Sequence, residues 1–217
     1  MKINVLELFA GSRSIGKAAE KLGMNVFSSD INNFVNIDYV ENILNFDIKK
    51  IPFKPDIIWA SPPCTYFSVA SIGHHWHENN TPKTKEAILG VEIVQKTIDI
   101  INEINPKFWF IENPRGKLKK LPVLSQYEYT TIWYCKYGDK RAKPTNIWSN
   151  NIMNPLFNSN GWKPRNECFN GNVKCHHEAA PRGSRTGTQG LTDNYERSKI
   201  PNELCIEILK SCLNGNS

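Results

Sequence analysis

A cysteine set directly behind a diproline, in Pro62-Pro63-Cys64-Thr65-Tyr66-Phe67-Ser68, is the part of this chain best suited to covalent chemistry. The apolar run Asp56-Ile57-Ile58-Trp59-Ala60 predicts a buried strand, so the stiff Pro62-Pro63 pair holds the Cys64 thiol at that strand's exposed end. A thiolate there is a nucleophile; the bland alternative for Cys64 is a small buried hydrophobe. A second segment, Lys107-Phe108-Trp109-Phe110-Ile111-Glu112-Asn113-Pro114-Arg115-Gly116, reads as an apolar strand ending in a carboxylate, an amide and a turn signal. Glu112 at such a tip suits acid-base work, or else it caps or pairs as a surface carboxylate. In a third, Tyr137-Gly138-Asp139-Lys140-Arg141-Ala142-Lys143-Pro144-Thr145, basic residues cluster before the apolar Asn146-Ile147-Trp148. Either Arg141 or Lys143 supplies charge that favours the Cys64 thiolate, or this is a solvated basic loop.

These residues need a frame. Ile3-Asn4-Val5-Leu6-Glu7-Leu8 reads as a strand, Phe9-Ala10-Gly11-Ser12 as a turn and residues 15–22 as a helix. In such a unit Gly11 allows close backbone approach, the helix start offers free N–H groups, and an acid ending the next strand grips ribose hydroxyls. Asp30, after Val26-Phe27-Ser28-Ser29, fits that acid. Strands near 3–8, 25–29, 56–60, 107–111 and 130–134, alternating with helices near 14–22 and 84–104, predict a doubly wound, Rossmann-like α/β sheet. The long helix is the clearest, because Ile88, Val91, Ile93, Val94, Ile98 and Ile101 recur at near-helical spacing. Residues 66–82, directly after the nucleophile and carrying His74, His75, Trp76 and His77, read as a substrate-closing lid or a metal-binding loop.

Taken in order, these motifs resemble the cytosine-5 DNA methyltransferase family over roughly residues 3–148. The family carries a Phe-x-Gly cofactor turn, a Pro-Cys nucleophile loop, a Glu-Asn strand end and a basic Arg-containing loop. The resemblance implies S-adenosylmethionine as methyl donor, with Phe9 and Gly11 beside it, Asp30 on its ribose, Asp47 near its adenine and Pro62 in the pocket wall. It implies duplex DNA as partner, with the target cytosine flipped out, since carbon 6 is unreachable within a stack. Cys64 would then attack carbon 6 while Glu112, its pKa raised by burial, hydrogen-bonds or protonates ring nitrogen 3. Arg141 is carried over as a further catalytic residue. Ser68, Asn113 and Lys143 are the expected substrate-binding residues, and Asn113 would also brace the nucleophile loop.

Departures from the family pattern are specific. Arg13 stands where a second glycine is usual, which argues against tight backbone approach at the cofactor turn, and Pro114 stands where valine is usual. The basic loop lacks the Gln-x-Arg-x-Arg order, no Gly-Asn motif appears near the C-terminus, and only Ile200-Pro201-Asn202-Glu203-Leu204 aligns with the family's last helix. The expected organisation is a methyltransferase core (1–149), a short loop-rich recognition insert (150–199) and a C-terminal helix (200–217). In the insert Arg182, Arg185 and Gln189 are candidate DNA contacts, with phosphate contact favoured over base reading.

A net charge of +6 and a pI near 8.9 suit a polyanionic partner, with basic residues bunched at 115–120, 136–143 and 182–185. No run of about 18 apolar residues suggests a membrane span, and no charged and apolar leader suggests secretion, so the expected location is cytoplasmic. The six cysteines are therefore expected to be reduced, with Cys205 and Cys212 packed in the core of the last helix. Cys168, Cys175, His176 and His177 could supply three or four ligands to a structural zinc, or lie in a loop that meets nucleic acid or solvent. Small size and the resemblance together suit a phage or mobile-element enzyme that marks DNA against restriction. Two rival readings are an RNA cytosine-5 methyltransferase and a non-catalytic nucleic-acid-binding protein that keeps the fold.

Overall fold

A computed structural model describes residues 2–69, 71–155, 158–181 and 187–214. Seven strands form one sheet: β1 (Asn4–Leu8), β2 (Asn25–Asp30), β3 (Tyr39–Val40), β4 (Ile57–Ala60), β5 (Phe108–Pro114), β6 (Tyr129–Trp133) and β7 (Pro144–Ser149). Their spatial order is β3-β2-β1-β4-β5-β7-β6. β1 to β5 are mutually parallel, whereas β7 runs antiparallel to β5 and β6 antiparallel to β7.

The central strands are apolar almost throughout because both faces of the sheet are covered. Val5, Ile57, Trp59 and Phe110 point to one side, into a core shared with α1 (Ser14–Lys21) and α5 (Asn202–Asn214). Leu6, Leu8, Ile58, Ala60 and Ile111 point to the other, into a core built with α3 (Lys85–Ile104). Two-residue alternation thus feeds two hydrophobic layers. Thr84 caps α3 by accepting from the Ala87 N–H, and Asn105, at φ 48°, ends it in the left-handed conformation before Pro106. Cys205 and Cys212 lie fully buried on α5, as their helical spacing suggested.

The predicted strands and the long helix appear within three residues of their expected limits, the largest difference being β5, which runs on to Pro114. Four strands and α-helices were not foreseen: β3, the short helix α2 (Ile72–His75), β7 and the short helix α4 (Asn194–Ser198). β7 falls where only an apolar stretch was expected, and all six of its residues are buried, Thr145, Asn146 and Ser149 included. After β7, residues 150–199 contribute no sheet strand among the described residues, only isolated bridges and α4 (Asn194–Ser198). No helix among the described residues is long and apolar enough to cross a membrane.

Candidate active site

At the end of β1 the chain makes the turn expected to meet a cofactor. Phe9, Gly11 and Arg13 all have positive φ, at 56°, 45° and 55°, a run of conformations that only glycine adopts without strain. The turn is held by the Arg13 N–H donating to the Ala10 carbonyl (2.7 Å), the Ala10 N–H to Ser29 (3.0 Å) and the Gly11 N–H to Asp30 Oδ2 (3.0 Å). Arg13 therefore takes up the backbone conformation a glycine would supply. Its guanidinium is buried beside Gly16 and pairs with Glu20 along α1, so the substitution leaves the turn tight, contrary to the expectation from sequence. A Cβ added to Gly11 would make ordinary van der Waals contact with Ser198 Oγ (3.9 Å), Asp30 Oδ2 (4.0 Å) and the Phe9 carbonyl (4.0 Å), so the constraint that favours glycine here is the positive φ and not a lack of room. Asp47, by contrast, is exposed and caps the following 3-10 turn by accepting from the Lys49 N–H (3.0 Å).

β4 lies beside β1, and its end leads into the nucleophile loop through buried Pro62. Cys64 is half-buried. Asn113, fully buried at the end of β5, donates from Nδ2 to the Pro62 carbonyl (2.9 Å), so an amide on the next strand fixes the loop. A second brace comes from the turn after β5, where the Lys117 N–H donates to the Phe67 carbonyl (2.7 Å) and Ser68 bridges to Gly116. A Cβ on Gly116 would sit 2.1 Å from the Phe67 oxygen, so only glycine lets these backbones approach. Ser68 Oγ shares a 3.0 Å hydrogen bond with Ser71 Oγ.

The segment expected to be a lid is tied down beyond that point. Trp76 is buried against Phe67 and donates from Nε1 to the Tyr66 carbonyl (2.7 Å). His75 is buried and hydrogen-bonds Thr84 Oγ1 (2.8 Å), while His74 and His77 are exposed; the three rings do not form a ligand group.

Glu112 is buried at the tip of β5, on the α1 and α5 face. Tyr134 Oη donates to its Oε1 (3.0 Å), and Lys143 Nζ stands 4.0 Å from the same oxygen. Lys143 is itself buried, with Nζ donating to the Arg197 carbonyl (2.9 Å) and lying 4.5 Å from the centre of the Tyr134 ring. Burial pulls the Lys143 ammonium below its usual range, against the opposing pull of Glu112 and Cys64. Burial pushes the Cys64 thiol above its ordinary 9.0; Lys143 acts to lower it, Glu112 to raise it and Arg197 to lower it. The positive charge expected beside Cys64 is therefore present, but burial outweighs it.

The basic residue facing Cys64 and Glu112 is thus Lys143. Arg141 turns its guanidinium elsewhere, pairing with Asp139 and donating to the carbonyls of Glu196 (3.1 Å), Arg197 (3.1 Å) and Lys199 (3.0 Å). This ties the loop before β7 to the segment before α5 and leaves the guanidinium 5.7 Å from the centre of the Tyr134 ring. Arg197 was missed altogether, since nothing local in Asn194-Tyr195-Glu196-Arg197 links it to a cysteine more than a hundred residues earlier. Gln189 accepts from the Ala142 N–H (2.9 Å) and donates to Asn170 (3.1 Å), so it braces the loop. Arg182 and Arg185 lie outside the described residues.

The expected metal ligands separate. The sulfurs of Cys168 and Cys175 and a ring nitrogen of His177 gather with the sulfur of Cys135, all within 4.8 Å of one another. His176 is not among them; it is exposed, with Nε2 hydrogen-bonded to the Asp139 carbonyl (3.1 Å). Cys135 was missed because, just after β6 and among aromatic residues, it reads as core.

Residues 3–122 match the C-5 cytosine-specific DNA methylase family. The chain belongs to that family, and so to the DNA cytosine-5-methyltransferases. It is 27% identical over 221 residues to the "Probable DNA (cytosine-5)-methyltransferase" of Frog virus 3 (isolate Goorha), covering 97% of this chain and 100% of that one. Among solved structures it shares its fold with the Entamoeba histolytica methyltransferase EhMeth, at 14% identity and a TM-score of 0.57, across 100% of this chain and 99% of the other. It also matches the S. pombe Dnmt2 methyltransferase at 15% identity and a TM-score of 0.44, over 69% of this chain and 49% of that longer one.

Proposed function

We propose that this methyltransferase adds a methyl group to carbon 5 of a flipped-out cytosine in DNA through a covalent Cys64 adduct, with S-adenosylmethionine as donor. The observation that carries the reading is the meeting of Cys64, Glu112 and Lys143, from three separate segments, at the strand ends of the sheet. The Phe9–Arg13 turn fits the donor in its tight, glycine-like backbone at the end of β1, and Asp30 lies at the end of the neighbouring strand, at the place where open α/β sheets bind ligands. Phe9, Gly11 and Asp30 would hold the donor there, and its contribution is an electrophilic methyl group.

Carbon 5 of cytosine is a weak nucleophile. Addition of the Cys64 thiolate at carbon 6 moves an electron pair toward carbon 5, and Glu112 supports that step by hydrogen-bonding or protonating ring nitrogen 3. Lys143 favours the thiolate in a setting where burial opposes it. Pro62 and Asn113 fix the loop so that the thiol is oriented before substrate arrives. Carbon 5 then takes the methyl group, loses its proton to a base or water, and the carbon–sulfur bond breaks to release Cys64.

The test is transfer of tritiated methyl from S-adenosylmethionine to unmethylated duplex DNA, compared with transfer to tRNA, for the native chain and Cys64→Ala. Label recovered as 5-methylcytosine in DNA, and lost in Cys64→Ala, is the expected result. Label in RNA alone would replace the substrate with RNA. Absence of label from both, together with no S-adenosylmethionine binding by calorimetry, would leave a binding protein.

A further inference from the structure

The Cys135, Cys168, Cys175 and His177 cluster has no part in the chemistry above. Its ligand atoms come from two regions: Cys135 follows β6 in the catalytic core, and the other three fall within ten residues of the 150–199 insert. We propose that these four side chains bind one zinc ion that fastens the insert to the core.

Three sulfurs and one imidazole form a Cys3His set, the ligand number and softness that select tetrahedral zinc over hard cations such as magnesium or calcium. With zinc–sulfur bonds of about 2.3 Å, neighbouring ligand atoms of a tetrahedral site stand roughly 3.8 Å apart. Cys168 Sγ and His177 Nδ1 are 3.9 Å apart, close to that spacing, and all four ligand atoms lie within 4.8 Å of one another, near enough to share one ion. Cys135 and Cys168 pack with Trp133 and Ala142, an apolar shell that keeps water from the sulfurs. Asn172 supports the site from outside, with Nδ2 3.5 Å from Cys168 Sγ and its carbonyl accepting from the Cys175 N–H (3.0 Å). All four ligands are then used, which makes the site structural; no position is left open for substrate or water.

The site would also position the catalytic groups. Cys135 directly follows Tyr134, whose hydroxyl binds Glu112 and whose N–H donates to the Ala142 carbonyl (3.1 Å) beside Lys143. Fixing Cys135 therefore fixes the backbone that sets Tyr134 against Glu112.

Metal content of the full chain, purified without chelator and measured by plasma mass spectrometry, should be about one zinc per chain. Cobalt exchanged into the protein should give the visible bands of a tetrahedral site and near-ultraviolet thiolate charge-transfer absorption. Cys175→Ser and His177→Ala should each lose the metal, while His176→Ala and Cys64→Ala should retain it. If Cys135→Ser fails to fold, the cobalt spectrum of the native chain still decides the ligand set. The proposal is overturned if the native chain holds no zinc even after zinc is added, if cobalt gives only an octahedral spectrum, or if His176→Ala loses the metal as His177→Ala does. Fewer than six free thiols in the denatured, unreduced protein would overturn it as well, in favour of a disulfide.

Discussion

Strands β1 and β5 each carry a glutamate buried on the same face of the sheet, yet the two carboxylates are used differently. Glu7 spends both oxygens on its own backbone, accepting from the N–H groups of Ile15 (3.0 Å) and Gly16 (3.0 Å) at the start of α1. Glu112, at the strand tip, accepts from a side chain, Tyr134, and faces a buried lysine. The first arrangement caps a helix with a carboxylate where the helix dipole is positive. The second sets a carboxylate against a phenol hydroxyl and an ammonium group. What its oxygens already hold distinguishes one buried acid from the other, while burial alone does not.

The sharpest way to break the comparison is Glu112→Gln, which keeps an acceptor for Tyr134 but removes the acid. It should lower kcat by about a thousandfold while leaving the melting temperature near that of the native chain. An equal loss of stability and activity would make Glu112 structural like Glu7. Glu7 should answer in stability instead. Burial raises its pKa from 4.5 to about 7, although the Gly16 and Ile15 N–H groups and Arg13 pull the other way. Between those values the unfolded chain gives up this proton while the folded chain keeps it, so rising pH costs about 3 kcal/mol of stability, complete above about 7. Urea titrations across that window should show the extra fall in the native chain and its absence in Glu7→Gln; parallel slopes would show that the helix start keeps Glu7 charged.

Gly16→Ala probes the same cap sterically, since the new Cβ would stand 2.7 Å from Glu7 Oε2. It should cost about 1–3 kcal/mol in chemical denaturation. Lys143→Met removes the larger of the two side-chain charges that lower the Cys64 pKa, so the pH–rate profile of methyl transfer should move to higher pH. An unmoved profile would detach Lys143 from the thiol. The smallest effect expected is that of Tyr134→Phe, about 1 kcal/mol in the barrier, read from kcat/KM.

Much of this was legible in the chain because it is local. Pro62-Pro63-Cys64, Phe9-x-Gly11 and Glu112-Asn113 are contiguous, and each sits at the end of a strand whose apolar run marks it. What escaped depends on partners far away in sequence. β7 is rich in polar residues and becomes a central strand only because β5 and β6 flank it, and Asn146 is satisfied in part by Thr131 Oγ1 (2.9 Å) from β6. Gly116 looks like an ordinary turn glycine until the Phe67 carbonyl is seen lying against it. His176 and His177 cannot be told apart by type or spacing; their different surroundings come from where the backbone leaves each ring. Cys135 carried no ligand signal because its companions begin 33 positions later.

The reversed direction of β7 has a consequence for reach. A parallel strand in its place would begin at the opposite edge of the sheet, about 17 Å from the tip of β5 for a strand of five or six residues. Because β7 runs backwards, with Thr145 opposite Pro114, its first residues lie where β5 finishes. The loop that delivers Lys143 therefore opens onto the same rim as the loops carrying Gly11 and Cys64. That single inversion gives an otherwise one-way sheet a cation at its working edge without a long connection to bring it there.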